Sequence, residues 1–310
     1  MSRYSEEQKR KLHYSIYEVL YENPRIHLTR LTRRLGRSRN SISRAFREMM
    51  DERILITPQL RLRALKNIKE FVYLLKLKDE FKAFEKLRGN EDVIYHTLLV
   101  GEYNMLLISR KPLDFSNLEI EKMGLNGVRG DYLDKKVKNL DFDKAFEIIT
   151  KKIENFNYKK SEIEDGEDRE NMWSEDEWRL FSEIKYNYRC NVTEICRRLR
   201  FSRWKFYECL GNVEKNATIH VQYYPEGYFS YSHFILIVET EYEKFIEELV
   251  SYIPSTSTII KVNENLIIYL NIYKRDLSTE NYLYFLLSLK NKNIVKKYKN
   301  LMPIQYYTKS

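Results

Sequence analysis

The stretch LTRLTRRLGRSRNSISRAFREMMDERILITPQLRLR, residues 28–63, carries most of the excess positive charge of the chain. It contains ten arginines, no lysine and three acidic residues, so its net charge is +7, against +9 for all 310 residues. Arginine presents a planar, permanently charged fork of donors that suits phosphates and guanine edges. A charge excess confined to one segment predicts a surface for nucleic acid.

Apolar spacing within this stretch predicts a helix-turn-helix. A first short helix would bury three leucines and end at a turn supplied by Gly36. Ser38 is placed to cap a second helix that continues to Arg53. The two buried faces are predicted to consist of Leu28, Leu31 and Leu35 in the first helix and Ile42, Ala45, Phe46 and Met49 in the second.

The opposite face of the second helix holds Asn40, Arg44 and Arg47, with Arg39 and Ser43 alongside. Asparagine and arginine are the side chains best shaped to read adenine and guanine in the major groove. An ordinary helical hairpin with a solvated basic face is the alternative, but such a face normally mixes signs. We therefore predict that double-stranded DNA is contacted by Arg30, Arg33, Arg34, Arg37, Arg39, Asn40, Ser43, Arg44 and Arg47.

The segments on either side of this unit complete a winged helix. A capping box at Ser5, with Gln8 at the third helical position, predicts a supporting first helix that stops at Asn23-Pro24. After the recognition helix, ILITP and QLRLRA read as two short strands around Pro58. The alternation in the second strand predicts a wing whose outward face offers DNA two further contacts, Arg61 and Arg63.

From Phe71 the pattern changes to strands and helices in the order β-α-β-β-α-β, which is the ferredoxin-like unit. FVYLLKLK, DVIYHTLLV, YNMLLIS and GVRGDYLDKKV are the predicted strands, and DEFKAFEKLR and LDFSNLEIEKM the predicted helices. Two helices would cover one face of the sheet and leave the other face free to pair with a partner.

The combination of LTRLTRRLGRSRNSISRAFREM, TPQLRLRALKNIKEFVYLLKL and LLVGEYNMLLIS resembles the Lrp/AsnC (feast/famine) family of transcription regulators. The resemblance implies a ferredoxin-like (RAM-like) domain that forms homodimers and binds small effectors near a hairpin glycine, which Gly101 matches. The residue three positions later, usually an aspartate, is Asn104 here. Gly101 and Asn104 are therefore the candidate effector-binding residues.

The second half repeats the pattern of the first, which predicts a tandem duplication. VTEICRRLRFSRWKFYECL aligns with LTRLTRRLGRSRNSISRAF, with Ser202 in the place of Ser38. In this alignment Asn40 becomes Trp204, Arg44 becomes Glu208 and Arg47 becomes Gly211, so we expect the second winged helix to be a packing or partner surface.

The fold class is α+β, with two winged helix-turn-helix domains, each followed by a ferredoxin-like domain. The predicted divisions are a winged helix at 1–66, a ferredoxin-like domain at 67–140, a connecting helix and acidic linker at 141–171, a degenerate winged helix at 172–230 and a second ferredoxin-like domain at 231–310.

Composition excludes several classes. No apolar run reaches the roughly 20 residues that cross a bilayer, and the charged start lacks a signal peptide, so we expect a cytoplasmic protein without membrane contact. Residues 161–177 are strongly acidic and read as a mobile linker. Cys190, Cys196 and Cys209 lack the spacing of a zinc motif and are expected to be free thiols. We expect no metal, no cofactor and no catalytic residue.

The leading functional prediction is a sequence-specific regulator that binds DNA as a homodimer, with a small-molecule effector as a further partner. A non-specific architectural DNA-binding protein is one alternative. An enzyme is the other, because siroheme decarboxylases resemble the same plan and act on a tetrapyrrole with histidine and basic residues. His96, Arg110 and His233 are the residues that such a role would draw on. The absence of a nucleophile-base pair or glycine-rich phosphate loop in the sequence favours a protein that is not an enzyme.

Overall fold

The computed structural model describes residues 5–164 and 169–309, in which helical units alternate with a sheet. The first helical unit consists of α1 (Glu6–Glu22), α2 (Leu28–Leu35) and α3 (Arg39–Asp51). Its local signals are the predicted ones: Ser5 forms the capping box, Gly36 adopts a left-handed φ of 61°, and the Ser38 side chain accepts a hydrogen bond from the Ser41 amide at 3.2 Å. The predicted amino-terminal helix-turn-helix is confirmed.

The second helical unit consists of α6 (Glu175–Ile184), α7 (Val192–Leu199) and α8 (Arg203–Lys215). Arg200 takes the left-handed turn position with a φ of 59°, where the first unit has Gly36. Ser202 caps α8 by accepting a hydrogen bond from the Lys205 amide at 3.1 Å. The two units are therefore built alike, although this likeness of plan does not establish a duplication.

The predicted wing hairpin is wrong, because its two strands do not pair with each other. Strand β1 (Gln59–Leu62) pairs antiparallel with β6 (Ala217–His220), which follows α8. Residues 54–56 likewise pair with 222–224, through hydrogen bonds from the Tyr224 amide to the Ile54 carbonyl (2.7 Å) and from the Ile56 amide to the Gln222 carbonyl (3.1 Å). We call residues 54–62 and 217–224 the inter-unit ribbon. It joins the two helical units.

Eight further strands form a closed barrel in the order β10-β3-β4-β2-β5-β8-β9-β7. Their bounds are β2 Phe71–Leu77, β3 Val93–Val100, β4 Met105–Ser109, β5 Ile120–Asp134, β7 Tyr231–Glu239, β8 Thr258–Val262, β9 Asn265–Tyr273 and β10 Lys297–Thr308. The remaining helices are α4 (Glu80–Arg88), α5 (Phe142–Glu154), α9 (Glu243–Val250) and α10 (Asp276–Asn291), with a 3-10 turn at Tyr228–Ser230.

Two long strands connect the halves of the barrel. Residues 120–128 of β5 pair with β2, and residues 129–134 of the same strand pair with β8. In the corresponding way, residues 297–301 of β10 pair with β7 and residues 302–308 pair with β3. The barrel interior consequently draws its side chains from both halves, including Val72, Leu106, Ile237, Ile260 and Leu301.

Residues 113–123 do not form the helix that the sequence predicts. Asp114 accepts hydrogen bonds from the amide and hydroxyl of Ser116, both at 2.9 Å, which closes a turn instead. Leu113, Phe115 and Leu118 pack on the outer face of the sheet where a helix was expected. The fold class is therefore corrected to an α+β chain with an amino-terminal winged helix-turn-helix and one sheet-rich barrel, in place of two separate ferredoxin-like domains.

The acidic stretch 161–177 is anchored on both sides of residues 165–168, which lie outside the described part of the chain. The Ser161 amide donates to the Glu241 carbonyl at 2.9 Å, and the Asn171 amide donates to the Asn67 side chain at 2.9 Å. The flanks of the predicted linker are thus packed segments.

Cys190, Cys196 and Cys209 are free thiols, as expected. Within the described residues, no helix is both long and apolar enough to cross a membrane.

A buried ion pair lies at the point where β5 passes from one sheet region to the other. The Arg129 side chain is 2% exposed and donates from Nε to Glu70 Oε2 at 2.5 Å. Its other nitrogens donate to the carbonyls of Gly130 (2.9 Å) and Leu62 (3.0 Å). Burial alone would lower the pKa of Arg129, but Glu70 and Tyr132 offset this, and its pKa lies above the ordinary value.

We expect Glu70→Ala to lower the free energy of unfolding by about 3–5 kcal/mol, because Arg129 would remain buried without a counter-charge. The matched control is Glu119→Ala, which removes the exposed pair with Lys78 (3.4 Å) and should cost less than about 1 kcal/mol. Urea unfolding of the two variants and the parent chain measures both changes. Equal costs would contradict the structural role of the buried pair.

Candidate nucleic-acid interface

The exposed face of α3 has the composition that the sequence predicts. Asn40, Arg44 and Arg47 are exposed, and Ser43 between them is half-buried. The helix is held from behind by Ile42, Ala45 and Met49, which are buried in the core of the first helical unit. These contacts leave the polar side chains on the opposite face exposed to solvent.

Most cations around this face have no acidic partner. Within the described residues, no carboxylate lies within ion-pair distance of Arg30, Arg33, Arg37, Arg39, Arg44 or Arg47, all of which are exposed. Arg34 is the exception, since it pairs with Glu22. On α3 itself Glu48 pairs with Lys9 of α1, and this hydrogen bond raises the pKa of Lys9. The side chains of Asn40, Arg44 and Arg47 thus carry only positive charge, and the exposed carboxylate of Asp51 lies beyond them at the carboxyl end of α3.

Arg61 and Arg63 do not form the outward basic face that a wing would give them. Because β1 pairs with β6, Leu60 and Leu62 are buried, and both arginines are half-buried between the ribbon and the barrel. Arg63 Nη1 lies 3.2 Å from Asp131 Oδ2. The Arg61 guanidinium lies 5.8 Å from the centre of the Tyr132 ring. These positions separate the two arginines from the open face of α3.

The candidate effector residues sit at a tight hairpin. Gly101 has a φ of 146°, and a Cβ there would come within 2.6 Å of Leu301 Cδ2. Asn104 is buried and closes the end of β2, since its side chain accepts from the Leu77 amide and donates to the Leu77 carbonyl, both at 2.8 Å. The polar atoms of Asn104 are thus occupied within the chain, and effector binding at this hairpin stays a prediction.

A charged cavity of about 440 Å³ lies beside the corresponding hairpin of the other half, next to Asn263. Lys261 lies in it between Glu243 (3.0 Å) and Glu162 (3.2 Å). Three lysines and five glutamates line this cavity, and no apolar side chain of the described residues does, so it offers a drug-like or cofactor-like ligand little to pack against.

The histidines named from the sequence lie in separate environments. His96 is buried under α4, with Nε2 3.1 Å from the Phe84 carbonyl oxygen. His233 stacks on Tyr228 at 4.5 Å between ring centres, and its Nδ1 lies 2.6 Å from Asn271 Oδ1. Arg110 is exposed at the end of β4. No common contact joins the two histidines within the described residues.

One group of residues was not found from the sequence, and we call it the cation–tyrosine cluster: Arg61, Arg110, Tyr132, Lys185 and Tyr186. The Arg61 guanidinium lies 5.8 Å from the Tyr132 ring centre and 6.0 Å from that of Tyr186. Burial lowers the pKa of Lys185, and the nearby charges of Arg110 and Arg61 lower it further. The carboxylate of Glu70 acts on Lys185 in the opposite sense, so the cluster combines three cations and two tyrosine rings with one nearby acidic group.

Comparisons with known proteins support the helical unit and the overall fold. Residues 9–56 match the family described as "Winged helix-turn-helix DNA-binding". No curated protein matches the chain. Among solved structures, the chain is similar to the siroheme decarboxylase NirDL, with a TM-score of 0.52 and 15% identity over 96% of this chain and 92% of that one. The same enzyme in co-complex with an iron-uroporphyrin III analogue gives a TM-score of 0.48 and 12% identity over 91% and 86%.

The expectation that the chain is not an enzyme is corrected by this similarity. An enzyme has the same fold over nearly the whole length of the chain. A winged helix joined to this barrel is therefore compatible with catalysis, and the absence of a familiar catalytic motif in the sequence was not sufficient to exclude it.

The structure predicts a pH dependence that arises from His96. Burial lowers the pKa of this histidine to about 4, whereas an unfolded chain has a histidine pKa of about 6.5. At pH values between these two pKa values, the unfolded state binds a proton at His96 and the folded state does not. The free energy of unfolding should therefore fall as the pH falls, by up to about 3 kcal/mol. Urea unfolding at pH 7, 5.5 and 4.5 should show a smaller fall in His96→Leu. An identical fall in both proteins would contradict the assignment.

Proposed function

We propose that the protein is a sequence-specific transcription regulator of the Lrp/AsnC type that reads the major groove of double-stranded DNA with α3. The observation that carries this proposal is the exposed face of Asn40, Arg44 and Arg47, which has one sign of charge and no acidic partner within the described residues. The match of residues 9–56 to a DNA-binding winged helix-turn-helix family supports it.

The positions of the side chains suggest separate roles. Arg44 and Arg47 would pair with guanine edges and Asn40 with an adenine edge, since each can make two hydrogen bonds to one base. Ser43 would contact a base or a phosphate beside them. Arg30, Arg33, Arg34, Arg37 and Arg39 surround this face and would bind backbone phosphates, which fix the register of the helix on the duplex.

We propose that the chain consists of two diverged copies of a winged helix followed by a sheet domain. The domain divisions are those proposed from the sequence, at 1–66, 67–140, 141–171, 172–230 and 231–310. Strand exchange within the barrel joins the two halves inside one chain. One chain therefore already holds two helical units together, and the homodimer and the small-molecule effector stay predictions.

We expect Arg44→Ala and Arg47→Ala each to weaken binding to a selected genomic site by about 1–3 kcal/mol without a comparable effect on folding, because both residues are exposed. The matched control is the double variant Lys82→Ala, Lys244→Ala, which removes two exposed cations from α4 and α9. Gel shifts at fixed salt concentration measure the change.

The same titrations on a random duplex separate specific from architectural binding. A regulator should lose its preference for the selected site when Arg44 or Arg47 is replaced, whereas phosphate-only binding would show the same steep salt dependence on any sequence. Unchanged affinity in both variants would rule out α3 as the reading helix.

A second candidate function is chemistry on a tetrapyrrole, and the cation–tyrosine cluster favours it. Arg61, Arg110 and Lys185 could pair with the carboxylates of a flat macrocycle, and Tyr132 and Tyr186 could contact its ring face. The shared fold with siroheme decarboxylase NirDL makes siroheme the first substrate to test.

If the cluster binds such a ligand, iron-uroporphyrin III should shift its visible absorption band on addition of the protein. Arg110→Ala, Lys185→Ala should weaken this binding by about tenfold or more, since two charged contacts are lost, while Lys82→Ala, Lys244→Ala should not. Release of carbon dioxide from siroheme tests catalysis separately. An unshifted spectrum with the parent chain would end this second candidate.

A further inference from the structure

The two helical units hold each other through a reciprocal pair of arginines. Arg25 follows α1, Arg189 follows α6, and the surrounding sequences NPRIHLT (23–29) and NYRCNVT (187–193) correspond. Arg25 donates to the Tyr188 carbonyl, and its guanidinium lies 5.7 Å from the ring centre of Phe206 on α8. Arg189 donates to the carbonyls of Pro24 (2.5 Å) and Ile26 (3.0 Å), and it lies 5.5 Å from the ring centre of Phe46 on α3.

These contacts relate the two units by an approximate twofold axis. Each arginine reaches a corresponding place in the opposite unit, and the inter-unit ribbon pairs the segment after α3 with the segment after α8. By this reciprocity α3 and α8 occupy corresponding positions in the two units. Two recognition helices arranged in this way can meet successive stretches of one duplex.

The exposed face of α8 has a different chemistry from that of α3. Trp204 is 73% exposed and Tyr207 is 56% exposed, and both lie on the outer face of the helix. Arg197, Arg200 and Arg203 are exposed around them, without an acidic partner in the described parts of the chain. Large aromatic rings beside exposed arginines are suited to a nucleic-acid backbone and its sugars, and arginines bind phosphates without regard to sequence.

The same face has lost the groups that distinguish bases. Glu208 and Gly211 occupy the positions of Arg44 and Arg47. This face therefore lacks the arginines that could each make two hydrogen bonds to a guanine. Because the carboxylate of Glu208 at the centre of this face would repel phosphates, contacts to the backbone fall to the surrounding residues Arg197, Arg200 and Arg203. A duplex bound here would be contacted through its sugar-phosphate backbone and not through its base edges.

We propose that the second helical unit binds the same DNA duplex beside the site read by α3, through Arg197, Arg200, Arg203, Trp204 and Tyr207, in a manner that tolerates any sequence. The binding site of one chain is then asymmetric, with one specified half and one unspecified half about one helical turn away. This inference rests on the proposed DNA-reading function and extends it to the form of the site.

The test compares duplexes that contain the selected half-site alone with duplexes extended by about 10 base pairs of random sequence on one side or the other. Extension on one side only should raise the affinity of the full chain. Arg200→Ala, Arg203→Ala should abolish this gain, leave binding to the short duplex unchanged, and lower the slope of log affinity against log salt by about 1.8 on the extended duplex. Trp204→Ala should reduce the gain without changing the salt slope.

The control Lys82→Ala, Lys244→Ala should keep the full gain from extension, because those cations lie on the helices outside the barrel. Equal affinity for short and extended duplexes, or an undiminished gain in Arg200→Ala, Arg203→Ala, would overturn the inference and leave the α8 face to a protein partner. The failure of α3 to read DNA is distinguishable, since the parent chain would then show no preference for the short selected duplex.

Discussion

Exchange of strands between the two halves is the constraint on which the rest of this structure depends. β5 begins beside β2 and ends beside β8, and β10 begins beside β7 and ends beside β3. Neither half can complete its sheet or fill its interior alone, and the closed barrel leaves no strand edge among its eight strands. Arg129 stabilises one crossing, because it connects Glu70 with the Leu62 carbonyl at the end of the ribbon. The helical units are joined separately, through the inter-unit ribbon and the contacts of Arg25 and Arg189.

The parts of the fold that the sequence predicts correctly are those set by neighbouring residues. Ser5, Ser38 and Ser202 cap helices through the amides that follow them, and Gly36 takes a left-handed turn that few other residues adopt at low cost. The exposed face of α3 belongs to this class as well, because helical spacing alone separates Arg44 from Met49. These signals need no knowledge of the distant chain.

The parts that the sequence does not predict depend on distant partners. The alternation in QLRLRA identifies a strand, but it does not say that Gln59 faces His220 instead of the preceding segment. The spacing of Leu113, Phe115 and Leu118 is compatible with a helix. The segment instead forms a turn at Asp114 and continues into β5, which pairs with β2. The cation–tyrosine cluster is formed by three separate segments, which contribute Arg61, Arg110 and Lys185. No local sequence motif therefore predicts it.

The two candidate functions use different surfaces, and the inter-unit ribbon lies between them in the chain. β1 carries Arg61 into the cation–tyrosine cluster, and the ribbon that contains β1 begins three residues after α3 ends. An anion bound at the cluster would relieve the repulsion that Arg61 and Arg110 exert on Lys185. A ligand shifts an equilibrium only by its differential affinity for the two states. Coupling between the surfaces therefore requires that binding at Arg61 change the geometry of the ribbon, and through it the angle between α3 and α8.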